Sequence, residues 1–269
     1  MRFPHLAAIE SSQPQVGWFE FHAENLFGLA PAMQRRLERL RADYPFSLHA
    51  VGLSIGSVDG IDSEHLLRLA EVVNLFEPGL VSEHLCWNRV AGVSVPDLLP
   101  LPMTHEALDT VAANVCRIQD VLGREIAVEN ISSYLRFEHG AMDEAGFLGG
   151  LVSRTGCKLL VDLNNLHVNH LNFGEDPGAF LRSVPASAVV EYHLAGPEIA
   201  NGAWLDTHST PVPDQVWSLY EEALALLGPR PTLIEWDQEL PAVEVLVAES
   251  MHADRLLASA GRSGGEHAA

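Results

Sequence analysis

Apolar runs of four to six residues alternate along the chain with longer stretches in which apolar residues recur every three or four positions. The short runs predict strands at Val16–Phe21, Phe46–Val51, Leu80–Leu85, Ile126–Glu129, Leu159–Asp162, Val189–Leu194 and Thr232–Glu235. Several are almost wholly apolar, as strands covered on both faces are. The longer stretches predict helices at Pro31–Arg41, Ser63–Phe76, His105–Leu122, Asp143–Thr155, Val216–Leu227 and Val243–Leu257. Strand–helix alternation of this kind implies a parallel sheet. No repeat, low-complexity tract or linker interrupts it before the terminal GRSGGEHAA. One domain is therefore expected over residues 1–260, with a disordered tail over 261–269.

An open doubly wound sheet and a (β/α)8 TIM barrel both satisfy that alternation. The polar residues discriminate between them. The strands end, in order, on Glu20 and His22, His49, His84, Glu129, Asp162 with Asn164, His193, and Glu235. Two segments read as loops add Asn164, His167 and His170 (NNLHVNH) and Asp206 with His208 (LDTHS). In a barrel the C-terminal strand ends converge on one face, where active sites lie. In an open sheet they would be strung along a line. The expected fold class is thus α/β, a TIM barrel, although seven strands are one short of eight.

Composition narrows the function. The chain has 269 residues, 47% of them hydrophobic, enough for one large barrel. No run is apolar and long enough to span a bilayer and no signal peptide precedes the first element, so a soluble, cytoplasmic protein with no membrane partner is expected. A net charge of −20, from 36 acidic and 16 basic residues, makes nucleic acid a poor partner. Cys86, Cys116 and Cys157 are irregularly spaced and read as buried, reduced thiols.

The 13 histidines stand out against only 16 Lys plus Arg. A single histidine at a strand end is ordinarily a hydrogen-bonded structural residue. Nine or more metal-competent groups on one rim, with few cationic side chains to pair them, are harder to account for. Buried carboxylates without counter-charge are costly, and bound cations remove that cost. Imidazole and carboxylate donors without thiolate suit iron, manganese or zinc. Glu129, in mid-series, is the best-placed bridge between two ions. The residue types leave hydrolysis, isomerisation, dioxygen activation and metal binding without turnover all open.

Other residues on the same face are substrate candidates. Asn130, Ser132, Ser133, Tyr134 and Arg136 follow Glu129, and Arg136 suits either a substrate carboxylate or an ion pair within the loop. His22, Glu24 and Asn25 sit at the rim in substrate or supporting roles. GLSIGS lacks the lysine of a phosphate loop and reads as a tight barrel loop. His105 and His170 read as surface residues, Trp87 and Trp236 as barrel packing.

The strings FEFHAEN, HAVGLSIGS, SEHLCWN, DLLPLP, VENISSYLRF, VDLNN, YHLAG, DTHS and LIEWD, running from about Gly17 to Asp237, resemble the DUF692 (UPF0276) family. The resemblance implies a xylose-isomerase-like TIM barrel. Metal-dependent apurinic endonucleases of that barrel class have a similar order of ligands. By that likeness one ion is expected near His49, His84 and Glu129, a second near Glu129, Asn164, His193 and Glu235, and a third at His167, Asp206 and His208. Asn164 stands where that series has an Asp, so Asp162 or a water is expected to contribute there.

Characterised members of the family resemble multinuclear non-haem iron oxygenases that modify cysteine in ribosomally synthesised precursor peptides. The resemblance thus implies two or three mixed-valent Fe(II)/Fe(III) ions, dioxygen, a cysteine-containing precursor peptide and a separate leader-binding partner protein. It implies Glu129, Asp162 and Arg136 as catalytic residues and His22, Asn25, Asn130, Ser133, Tyr134 and Arg136 as substrate contacts. A zinc- or manganese-dependent hydrolase or isomerase on the same ligands, or a non-catalytic metal-binding protein, are the alternatives. Members begin with an apolar strand ahead of a Pro-His pair, whereas here Met1 stands three residues before Pro4-His5. The first strand is therefore expected to be truncated, through a start assigned late or a barrel open at one edge.

Overall fold

All seven predicted strands form, and they form one parallel sheet. The computed structural model describes residues 1–138 and 140–266, with the backbone alone for 262–266. After a 3-10 turn at Phe3–His5 the chain passes through α1 (Leu6–Ser12), β1 (Phe19–His22), α2 (Pro31–Asp43), β2 (Phe46–Ala50), α3 (Ser63–Phe76) and β3 (Leu80–His84). A hairpin of β4 (Trp87–Val90) and β5 (Val93–Leu99) precedes α4 (His105–Leu122), β6 (Ala127–Glu129), α5 (Glu144–Thr155) and β7 (Lys158–Asp162). Then come α6 (Leu163–Phe173), α7 (Pro177–Ser183), β8 (Val189–Leu194), a hairpin of β9 (Glu198–Ala200) and β10 (Ala203–Leu205), α8 (Asp214–Leu227), β11 (Thr232–Ile234) and α9 (Val243–Glu266).

The sheet order is β1-β2-β3-β6-β7-β8-β11, every neighbour parallel, curled into a nearly closed TIM barrel. Among the described residues β11 and β1 do not pair, and a cavity of about 240 Å³ lies along this seam, lined in part by Phe19, Leu233 and Val243. The expectation of one strand too few is met by this open edge. Near the top of the seam, the Arg2 guanidinium pairs with Asp237 and the Met1 ammonium donates to the Glu20 carbonyl.

Strand alternation separates two environments. Phe21, Leu48, Val81, Val128, Val161 and Tyr192 are at most 3% exposed and belong to the core that packs the strands against the helices. The Tyr192 hydroxyl, for example, donates to the Gly228 carbonyl beyond the end of α8. The intervening residues face the barrel interior. Helix starts are set locally: Asp62, Thr104, Asp143 and Asp162 each accept backbone N–H bonds at the N-terminus of the helix they precede.

Three expectations change. NNLHVNH is helix α6 and not a loop. Asp162, the last residue of β7, caps it, so strand passes into helix without a connecting turn. The hairpins β4–β5 and β9–β10 escape the apolar pattern because they sit outside the barrel with half-buried or exposed residues on both faces. The backbone of α9 remains helical to Glu266, six residues into the expected tail, and 267–269 lie outside the described residues. Among the described residues no helix is long and apolar enough to cross a membrane.

Leu48 is fully buried on the helix-facing side of β2. Leu48→Ala should destabilise the fold by about 2–5 kcal/mol, measured by denaturant unfolding, without changing the metal content of the folded protein.

Candidate metal centre

Inward-facing positions two apart on the strands make two layers inside the barrel. The upper layer, at the C-terminal ends, holds His22, His49, His84, Glu129, Asp162, His193 and, just past β11, Glu235. Two residues earlier on the same strands stand Glu20, Ser47, Ser82, Ala127, Leu160, Glu191 and Leu233, and the stagger of the strands sets Ser82 beside His49, Leu160 beside Glu129 and Leu233 beside His193. Seven short strands thus bring to one point residues that span most of the sequence.

In the upper layer three ligand atoms form a tight triangle. His49 Nε2 is 3.1 Å from His84 Nε2 and 3.2 Å from Glu129 Oε2, and the latter two are 3.5 Å apart. On the other side of Glu129, Oε1 faces His193 Nδ1 at 3.9 Å, and that nitrogen is 3.2 Å from Glu235 Oε2. His208 Nδ1 is 3.6 Å from the same Glu235 oxygen, and its Nε2 is 2.6 Å from Asp206 Oδ1. Ligand atoms cluster within ion-binding distance in five groups among the described residues. Three surround Glu129 and its neighbours: His49/His84/Glu129, Glu129/Asp162/His193 and Asp162/His208/Glu235. Two flank them: Glu20/Glu191/His193 below and His22/Glu235/Asp237 at the rim.

Whether these residues fit cations can be judged from their unused valences. Buried polar atoms normally find hydrogen-bond partners. Glu129 Oε2, Asp162 Oδ2, Asn164 Oδ1 and both nitrogens of His193 have none. The opposite atoms of several of these side chains are held. Asp162 Oδ1 accepts the Asn165 N–H at 2.6 Å, and Asn164 Nδ2 donates to Asp206 at 2.5 Å. His49 Nδ1 lies 2.7 Å from the Ser82 hydroxyl; with Nδ1 protonated, its Nε2 lone pair faces His84 Nε2 at 3.1 Å, inside the triangle. Asp162 and Asn164 are thus each fixed at one end and free at the other, the arrangement that metal ligands require. The donor set is nitrogen and oxygen only. Burial, with Glu83 and Glu129 nearby, raises the Cys86 thiol well above its usual range and so keeps it neutral.

Without cations the cluster is electrostatically frustrated. Burial, reinforced by Asp162 and Glu235, pushes Glu129 up to about 8 against the pull of His84 and His193. Burial and Asp206 push Asp162 up to about 7. Burial opposes the His84 imidazolium, yet Glu129 and Glu83 raise it to about 9. His49 is held well below its usual range by burial and by the neighbouring His84 and His193. Burial works against the charged forms of His208 and Glu235, but Asp206 and then Glu235 raise the first well above its usual range, and His208 with His193 holds the second well below its own. Protons here occupy positions that divalent ions would take.

Other candidates fall elsewhere. His167, on α6 one turn after Asn164, is buried, but neither it nor Asp206 belongs to any of the five groups. Asn130 braces Asp162: its Oδ1 accepts the Asp162 N–H at 2.9 Å and its Nδ2 donates to the Asp162 carbonyl at 3.0 Å. The Tyr134 hydroxyl accepts the Asp206 N–H at 2.9 Å, and the Ser133 N–H donates to Asn169 Oδ1 at 2.8 Å. Arg136 pairs with Glu175 and lies 4.6 Å over the Phe173 ring, the loop ion pair of the two readings open for it. Asn25 is exposed, as are His105 and His170. His22 Nε2 lies 3.5 Å from Glu235 and from the Arg2 guanidinium.

Sequence reading missed Glu83 and Glu191. Glu83 accepts the N–H groups of Leu53 and His84 and so pins the β2–α3 loop to β3. Glu191 carried a signal, since Glu191-x-His193 repeats the spacing of Glu20-x-His22 and puts both carboxylates on the inward face. Gly196, in YHLAG, permits a close crossing: a Cβ there would stand 2.2 Å from the Thr210 carbonyl oxygen, next to the segment that carries Asp206 and His208. His208 itself has a left-handed backbone (φ 49°), with its carbonyl held by the Asp237 N–H at 2.7 Å.

Comparison with known proteins bears on this site. A family model described as "RiPP precursor modification enzyme MbnB/TglH/ChrH" matches residues 1–258. A UPF0276 protein of Vibrio parahaemolyticus is 44% identical over 261 residues, covering 96% of this chain and 91% of the relative. One from Chromobacterium violaceum is 45% identical over 262 residues, covering 97% and 94%. Among solved structures, L-ribulose 3-epimerase aligns with a TM-score of 0.61 at 15% identity over 99% of this chain and 93% of its own. Endonuclease IV of Thermus thermophilus aligns with a TM-score of 0.57 at 16% identity over 96% and 94%. Likeness at that identity extends to the barrel alone.

Metal loading should compete with protons. Below pH 7 Glu129 and Asp162 hold protons and His84 is an imidazolium, so affinity should rise from pH 6.5 to 8.5, about tenfold per pH unit for each proton displaced. Isothermal titration with zinc in two buffers of different ionisation enthalpy checks both the slope and the proton release. Gly196→Ala should displace the Asp206–His208 segment and lower the bound metal by about one ion per chain, read by elemental analysis.

Proposed function

Because the chain belongs to the RiPP precursor modification enzyme family MbnB/TglH/ChrH, we propose that it is an iron-dependent enzyme that oxidises a cysteine of a ribosomally synthesised precursor peptide. The family supplies the enzyme class and the peptide substrate. The observation that carries the finer reading is the convergence of buried, partnerless nitrogen and oxygen ligands on both oxygens of Glu129. Two or three iron ions, cycling between Fe(II) and Fe(III), would bind the substrate thiolate and supply electrons to dioxygen, chemistry that zinc lacks.

The chain's own residues have distinct tasks in this reading. Glu129 bridges, with Oε2 facing His49 and His84 and Oε1 facing His193. Asn164 presents a neutral amide oxygen where a carboxylate would add charge, and the free Oδ2 of Asp162 supplies the missing anion. His208 and Glu235 complete the far side with Asp162, and Asp206 orients His208. His167, buried on the α6 face that carries Asn164, stands ready as a further ligand there. The buried setting of the ligands would keep water from the reacting thiol. Asn25, Ser133, Tyr134 and Arg136 lie towards that rim, the last three on the segment after β6. The reading also includes a leader-binding partner protein and a cytoplasmic location, where reduced Cys86, Cys116 and Cys157 persist.

The test is anaerobic purification, metal analysis and incubation with a cysteine-containing precursor peptide, the partner and O₂, read by peptide mass. Iron content of two to three ions and an oxygen-dependent mass change are expected. Zinc alone, with no oxygen consumption, would return the site to hydrolytic or non-catalytic metal binding. Glu129→Ala should abolish both iron loading and turnover; full iron content in that variant would remove Glu129 as the bridge.

A further inference from the structure

Beneath the upper layer lies a pair of carboxylates that no ligand series explains. Glu20 and Glu191 are 3% and 0% exposed, and they come from β1 and β8, which are not neighbours in the sheet. Their common contact is His193. Its Nε2 is 3.2 Å from Glu20 Oε1 and 3.6 Å from Glu191 Oε1. Glu20 has a second anchor, the Ser47 hydroxyl, which donates to Oε2 at 2.7 Å. Neither oxygen of Glu191 accepts a hydrogen bond among the described residues.

A fully buried carboxylate whose one close contact is an imidazole costs the fold several kcal/mol unless the pair has a use. As a separate cation site the trio is implausible chemistry, because His193 would then have to bind metal through both nitrogens. Its other nitrogen, Nδ1, already faces Glu129 and Glu235 in the upper layer. The economical assignment gives the two nitrogens different tasks.

We propose that Glu20 and Glu191 are positioning residues that hold His193 in the Nε2-protonated form, so that Nδ1 presents its lone pair to the metal centre. At 3.2 and 3.6 Å, and without a formed hydrogen bond among the described residues, two carboxylates from different strands act on that nitrogen by charge, which favours the tautomer that places its N–H between them. Two anions behind one imidazole also strengthen it as a donor, which favours the more oxidised state of the ion it binds. His49 is oriented the same way by a neutral group, the Ser82 hydroxyl, so the two sides of Glu129 differ in the charge behind their histidines. That asymmetry distinguishes one ion from another in a cluster of like ligands.

This inference rests on the reading of His193 as a metal ligand but not on iron or oxygen chemistry, so it is tested with zinc. In the zinc-loaded protein, ¹⁵N chemical shifts should show His193 protonated at Nε2 and metal-bound at Nδ1. Glu191→Leu should keep the fold by circular dichroism and weaken the His193 ion about 10–100-fold, so that limiting zinc loads one ion fewer. Glu191→Gln, which can still accept the N–H but carries no charge, should restore the tautomer and recover part of the affinity. Metal at Nε2, or unchanged zinc affinity in Glu191→Leu, overturns the proposal. Absence of iron or of peptide oxidation would count against the proposed function and leave this assignment standing.

Discussion

The burial of acidic side chains and imidazoles at one end of the barrel governs the rest of the structure. Glu129, Asp162 and Glu235 sit with His49, His84, His193 and His208 where no Lys or Arg makes an ion pair with them among the described residues. Inside a protein such charges repel strongly and are poorly solvated. Protonation of Glu129 and Asp162 offers partial relief, as their raised pKa values show. Divalent cations give fuller relief because each neutralises two anions and fills the coordination left open by partnerless atoms.

A strained cluster needs a stiff frame, and the frame is made of asparagines outside the five candidate ligand groups. Asn130 clamps the Asp162 backbone from both sides, and the side chain of Asn165 donates to the Asn130 carbonyl. Asn169 ties the segment after β6 to α6 through the Ile131 carbonyl and the Ser133 N–H. Asp162 is at once strand end, helix cap and ligand candidate, which leaves the chain no slack at that point. Ligands held to a fraction of an ångström by such supports bind metal without reorganisation.

The barrel is shared with sugar epimerases and an endonuclease of low sequence identity. A barrel carries many chemistries because catalysis depends on strand ends and the loops above them. In this chain those ends carry the histidines and carboxylates, and two hairpins, β4–β5 and β9–β10, follow β3 and β8. Val93 and Ile199 are 64% and 62% exposed on these hairpins.

The barrel strands, their parallel arrangement and the candidate ligands at their ends were readable from the chain alone, because apolar runs ending in His, Glu or Asp are a local pattern that one dimension can carry. His49, His84, Glu129, His193 and Glu235 were legible for that reason. The capped helix α6 was not, since its asparagines favour loops when read alone and only the Asp162 cap overrides them. Nor was the setting of Glu191, which lies beside His193 of the same strand, a ring that Glu20 also approaches from across the barrel. Arg136 could be read either as a substrate ligand or as half of a loop ion pair, and its contact with Glu175, 39 positions away, is visible only in the folded chain. Which atom of each ligand is free and which is held is a three-dimensional fact, because hydrogen-bond partners in a barrel come from strands distant in the chain. Tertiary structure alone decided that the histidines and carboxylates form linked groups around Glu129, leaving a second carboxylate layer beneath.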